Sequence, residues 1–119
     1  MRSIAEKAKK ASRTLRTMGR EEKDRALLAM AAALVANRAE IEAANARDLE
    51  ADLPAAKKER LKIDVEAVAS SIESIAALPD PVGKITEAKP QESFGLVRKS
   101  VPLGVILMIF ESRPNVTPE

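Results

Sequence analysis

Residues 103–110 read Leu-Gly-Val-Ile-Leu-Met-Ile-Phe, apolar at odd and even positions alike apart from Gly104. A strand sends successive side chains to opposite faces, so a run apolar on both faces must be covered on both. With Val101 and Pro102 the run has about half the ~20 residues a membrane-spanning helix requires. Its natural place is therefore a central strand of a covered, mostly parallel sheet. Such a strand needs neighbours on both sides and layers above and below. The chain offers at most two short companions, residues 84–88 and 95–101, both earlier in the sequence. A second problem follows at once. Thr117-Pro118-Glu119 combines an N-capping hydroxyl, a proline suited to the first helical position and an acidic residue in the first turn, yet no helix comes after it. A strand followed by a helix start is the first half of a βαβ unit. The expectation is an N-terminal piece of a larger protein, with the rest of the sheet lying outside these residues.

Composition changes character before that run. All 21 alanines lie at or before Ala88, and valine and isoleucine dominate afterwards. Alanine with abundant charge favours helix. Ile4, Ala8, Ala11, Leu15 and Met18 form one helical stripe, predicting a helix over 3–18 that Gly19 ends. A second helix is predicted from Glu21 with Leu27, Met30, Leu34 and Val35 inward, broken or bent near Asn37-Arg38. A third passes through Ile41, Ala44 and Leu49 to Leu53, where Pro54 stops it. A short turn follows over 55–61. Asp64 is placed to cap a helix over 65–77, with Val65, Val68, Ala69, Ile72, Ile75 and Ala76 inward. Leu78-Pro79-Asp80-Pro81-Val82-Gly83 is loop chemistry and the one clear boundary. Beyond it the period becomes two, giving short strands at 84–88 and 95–101 and the apolar strand at 103–110. Gly104 reads as a place where another backbone packs closely. The fold class expected is α/β, mostly helical over 3–77, then two or three strands over 84–110 in an incomplete sheet.

The chain has neither cysteine nor histidine. Disulfides, thiol or imidazole metal sites, a cysteine nucleophile and a histidine base are all excluded from these residues, and no metal site is expected. Residues 1–20 hold seven Lys/Arg against one Glu, whereas the chain as a whole carries only +2. That basic start reads first as the solvated face of an amphipathic helix. A nucleic-acid or membrane-surface role is the weakest alternative, because the segment is short and lacks aromatics for base stacking. There is no secretory apolar core. The default expectation is a cytoplasmic protein that engages neither nucleic acid nor membrane.

Three segments carry a family resemblance: Asn45-Ala46-Arg47-Asp48-Leu49-Glu50, the loop from Leu78 to Gly83, and above all Phe110-Glu111-Ser112-Arg113-Pro114-Asn115-Val116 following the apolar run. In order and spacing they resemble gamma-glutamyl phosphate reductase, or glutamate-5-semialdehyde dehydrogenase, of the aldehyde dehydrogenase superfamily. The resemblance spans essentially the whole chain and about the first quarter of a family member. It implies that residues 1–79 form a helical N-terminal region. It implies that residues 80–119 hold a strand arm and the first strand of an incomplete dinucleotide-binding domain. It further implies NADPH-dependent reduction of L-glutamate 5-phosphate to the semialdehyde and phosphate, in proline biosynthesis. A cysteine thiolate would attack the acyl phosphate, phosphate would leave and hydride would reduce the thioester. The cysteine and the glycine-rich phosphate loop would lie further along a full-length chain. This chain by itself is expected to be inactive, and a full-length member to be a homo-oligomer.

The resemblance also assigns roles to residues. Asn115 matches the asparagine whose amide N–H stabilises the tetrahedral oxyanion; the competing reading is that it satisfies backbone groups of its loop before a helix start. Arg113 offers a planar fork to a substrate phosphate, or alternatively pairs with Glu111 or a carbonyl. Phe110 and Glu111, at the carboxyl end of the apolar strand, stand where open α/β sheets bind cofactor; Phe110 as plain core is the competing reading. Leu107 occupies a position where the wider superfamily has glycine. The non-enzymatic alternative is a helical interaction or oligomerisation module with a β-arm.

Overall fold

A computed structural model describes residues 2–111 and 113–118. Five helices precede a hairpin: α1 (Arg2–Leu15), α2 (Arg20–Ala36), α3 (Arg38–Leu49), α4 (Ala55–Leu61), α5 (Val65–Ala77), then β1 (Ile85–Pro90) and β2 (Gly95–Lys99). A single 3-10 turn, Pro114–Val116, follows. The chain is mostly helical, with two antiparallel strands in an incomplete sheet. It divides into two compact units, residues 21–78 with 108–119 and residues 1–20 with 79–107.

The first of these units is built by α2 to α5 around very small side chains. Ala31 from α2 meets Val68, Ala69 and Ile72 from α5, with Leu27 and Leu34 packed against them. On a 100° per residue wheel, Leu27, Ala31 and Leu34 fall in a stripe about 60° wide, which is the face that is covered. Met30 and Val35 lie at its margins and are exposed, contrary to the inward placement predicted for them. Ile75 departs from prediction for the same reason, about 80° from Val65 on the wheel of α5, and is exposed. Val65, Val68, Ala69, Ile72 and Ala76 are buried as the spacing predicts.

The helix boundaries are set by local polar groups. The Asn37 carbonyl accepts from the Ile41 amide at 3.1 Å, so it opens α3. The Asn37 side-chain amide donates to the Ala33 carbonyl at 2.7 Å, so it also closes α2. Asp64 accepts from the Ala67 amide at 3.0 Å and caps α5. The extended link between α4 and α5 is held by one side chain. Asn45 on α3 donates Nδ2 to the Leu61 carbonyl at 2.7 Å, and its Oδ1 accepts from the Ile63 amide at 3.2 Å. Arg38 ties the start of α3 to the start of α5, with Nε to Glu42 at 2.6 Å and a terminal nitrogen to Glu66 at 2.8 Å. The hydrogen bond and charge of Glu42, aided by Glu66, raise the pKa of this exposed guanidinium further.

The second unit holds α1 and the hairpin. α1 forms where a helix is predicted but ends at Leu15, three residues short of the expected Met18 and its Gly19 stop; none of its residues is buried, and Ile4 and Leu15 of the apolar stripe are 70% and 53% exposed. In the hairpin, Ala88 pairs with Val97, Lys89 with Leu96 and Pro90 with Gly95. A bulge falls between Ile85 and Glu87, where the Thr86 hydroxyl donates to the Arg98 carbonyl at 3.3 Å. The boundary loop turns on Asp80, whose carboxylate accepts from the Val82 amide at 2.9 Å, and on Gly83 at φ +83°.

The third strand predicted over 103–110 does not form among the described residues. That run is exposed throughout, with Leu103 and Ile109 both 88% accessible. A strand's amides and carbonyls are satisfied only by a neighbouring strand, and none lies beside it here. Gly104 is likewise explained differently from expectation. Nothing among the described residues lies within 4 Å of where its Cβ would stand, and it is the positive φ of +90° that calls for glycine.

Candidate functional site

The segment after the apolar run returns to the helical unit and forms a turn there. Pro114 stands at the start of the 3-10 turn, where its missing N–H costs nothing. The Val116 and Thr117 amides donate to the Arg113 and Pro114 carbonyls, each at 3.2 Å. Thr117 ends this turn with helical angles, φ −63° and ψ −47°, instead of opening a helix in the extended N-cap conformation expected of it. Glu119, the third residue of that predicted start, lies outside the described residues, as does Ser112. Pro114, Thr117 and Pro118 border an apolar groove of about 520 Å³ with Met30, Leu34 and Ile41.

A second, polar cleft of about 330 Å³ also borders the turn. Arg113 and Asn115 line it from the turn, and Glu59, Arg60 and Lys62 line it from the end of α4 and the residue after it. Two of the four predicted site residues are thus brought together. Phe110 and Glu111 are exposed and do not line this cleft. Arg113 makes no ion pair among the described residues, so the alternative pairing with Glu111 is not seen. Lys62 is partly neutralised by Glu59, Nζ to Oε2 at 2.7 Å.

Asn115 is the unusual member of the group. Its Oδ1 is buried and has no hydrogen-bond partner among the described residues. A buried acceptor left without a donor costs about 1–3 kcal/mol. Such orphans call for a reason, either a chemical role or a donor supplied by another segment. Arg60 and Lys62 were not singled out by reading the sequence. The signal available was the cationic cluster Lys57, Lys58, Arg60 and Lys62, but only the fold shows that its last two members face Asn115. Asn45 was visible as part of a family motif, while its work as a clamp on residues 61–63 was not.

No protein-family model matches the chain. Individual proteins do. The gamma-glutamyl phosphate reductase of Neisseria meningitidis serogroup C is 47% identical over 119 residues, covering 94% of this chain and 28% of the relative. The chain is a homologue of the N-terminal portion of gamma-glutamyl phosphate reductases. The enzyme of that name from Deinococcus radiodurans is 43% identical and covers 98% of this chain and 29% of its own length. Among solved structures, gamma-glutamyl phosphate reductase from Saccharomyces cerevisiae superposes with a TM-score of 0.88 at 38% identity, covering 98% of this chain and 32% of that one. The Thermotoga maritima reductase gives a TM-score of 0.87 at 32% identity, over 97% of this chain and 30% of its own. The fold is therefore part of the gamma-glutamyl phosphate reductase fold. The chain spans less than a third of the length of the relatives it matches. No helix among the described residues is long and apolar enough to cross a membrane.

Proposed function

We propose that these residues serve a reductase that converts L-glutamate 5-phosphate to L-glutamate 5-semialdehyde and phosphate at the expense of NADPH, in proline biosynthesis. The observation that carries this reading is identity of 43–47% to proteins named gamma-glutamyl phosphate reductase over nearly the whole chain. Asn115 is the residue of this segment assigned to the chemistry. Its side-chain amide would donate to the oxyanion that develops when the acyl carbon becomes tetrahedral. A half-buried asparagine lining a cationic cleft suits that task, because a donor gains strength where water is partly excluded. Arg113, unpaired and in the same cleft, would hold an anionic part of the substrate.

The residues present do not by themselves fit the nicotinamide cofactor. The four glycines, at 19, 83, 95 and 104, are too dispersed to form a phosphate-cradling loop. Among the described residues, the segment carrying Phe110 and Glu111 has no strand beside it to make the crevice at a sheet's carboxyl edge. Contact of Phe110 and Glu111 with cofactor would need the remainder of such a sheet. With no cysteine in the chain, the nucleophile likewise has to come from other residues.

A hybrid enzyme tests the reading. These 119 residues replace the corresponding stretch of the Neisseria meningitidis reductase, and phosphate-dependent oxidation of the semialdehyde by NADP is followed. The hybrid is expected to turn over, and Asn115→Ala to lower kcat by ~10²–10³ with little change in KM. A well-folded but inactive hybrid, or full activity in Asn115→Ala, would overturn the proposal.

A further inference from the structure

The polar cleft holds three cations and one carboxylate, and their pairing is uneven. Lys62 is engaged by Glu59. Arg60 and Arg113 have no acidic partner among the described residues, and they enter the cleft from different parts of the chain, Arg60 from the last turn of α4 and Arg113 from the start of the 3-10 turn. Guanidinium groups are planar forks whose five donors match the oxygens of carboxylates and phosphates. Two of them line one cleft and neither is compensated by acid, an arrangement suited to an anion.

We propose that Arg60, together with Arg113, clamps an anionic group of the substrate, a carboxylate or a phosphate, with Glu59 restraining Lys62 from joining it. This rests on the reading of Asn115 as the group beside the reacting carbon. Arg60 is then a specificity residue: it selects an acidic substrate and fixes which end faces Asn115. The competing role for Arg60 is a plain positive charge at the carboxyl end of α4, which lysine would fill equally well.

The test titrates the ¹⁵N-labelled 119-residue chain with inorganic phosphate and, separately, with acetate at constant ionic strength. Saturable shifts are expected at the amides of Arg60, Asn115 and Val116. Arg60→Gln is expected to weaken them ~10-fold, and Arg60→Lys several-fold, because the fork is lost even where the charge remains. Glu59→Gln is expected to tighten binding by about twofold by releasing Lys62. Lys57→Gln, on the same helix but outside the cleft, should change nothing. Tighter binding of phosphate than of acetate assigns the phosphate group, and the reverse order assigns the carboxylate. Shifts that do not saturate, or Arg60→Gln and Arg60→Lys both binding as the parent does, overturn the clamp.

Kinetics of the hybrid supply the second reading. Arg60→Gln is expected to raise KM for phosphate or for the semialdehyde ~10-fold, with kcat within about threefold and KM for NADP unchanged. A change confined to NADP overturns the clamp. An inactive parent hybrid removes the proposed reaction but leaves the anion titration to decide the clamp by itself.

Discussion

The four helices over residues 20–77 and the strand-forming residues that follow them satisfy their backbones in opposite ways. Each helix closes its hydrogen bonds within a few residues and needs tertiary partners only for one apolar stripe. Ala31, Val68, Ala69 and Ile72 provide such a stripe from both sides, so this region completes itself. The hairpin satisfies half of each strand, and the run 103–110 satisfies none of its backbone through a ladder. Apolar content does not separate the two, since the run is the most apolar stretch of the chain. The difference is whether the partner of each group is local. A helical segment carries its own hydrogen-bond partners along with it, and a central strand borrows all of them.

Three variants probe that contrast. The largest effect is expected from Ile72→Ala. Ile72 is 4% exposed at the centre of the helical core, and its truncation should cost about 2–5 kcal/mol. In a core this small, urea unfolding followed by circular dichroism should show most of the cooperative transition lost. Retention of the parent midpoint would mean that the core does not sit where these residues place it. Next is Asn45→Ala, which leaves the Leu61 carbonyl and the Ile63 amide without their clamp. A cost of about 1–3 kcal/mol is expected, with faster amide exchange at Ile63 ahead of its neighbours in α5. Uniform loss of protection along α5 would show instead that the clamp and the helix open as one unit. The smallest effect on stability belongs to the double change Leu103→Lys with Ile109→Lys. Both side chains are 88% exposed, so unfolding free energy should move by less than about 0.5 kcal/mol. Self-association measured by sedimentation velocity should fall, because an unpaired apolar strand is a template for pairing. A stability loss comparable to that of Ile72→Ala would erase the contrast between the two regions.

Legibility in the sequence followed the same division. The bounds of α5 and the break at Asn37 were readable because caps act within one turn, whereas α3 ends at Leu49, short of the expected run to Leu53, so Pro54 precedes α4 rather than stopping α3. The hairpin was readable from its alternation, though its exact limits shifted by a residue or two. Which stripe residues would be covered was less readable. Ile4, Leu15, Val35 and Ile75 carry the right spacing, but spacing states which side is apolar and leaves open whether anything lies against it. The strand expected over 103–110 failed on the same ground. At the polar cleft, that Arg113 and Asn115 come together was legible because they belong to one short motif in which sequence neighbours are also spatial neighbours. Arg60 and Lys62 join them only because the chain returns from residue 113 to the end of α4, a contact across about fifty positions that no local pattern announces.

The two ties that close the helical unit, from Arg38 to Glu66 and from Asn45 to Leu61, span 28 and 16 residues. Helical regions, whose backbone contacts are mostly local, belong to the quickly folding topologies, which assemble in microseconds to milliseconds. Translation delivers only about 5–20 residues per second. The tied helices therefore have time to assemble before residues 103–110 are synthesised. The order of the sequence thus acts as a schedule: within these residues, the segment most prone to mispairing is made after the helices that need nothing from it.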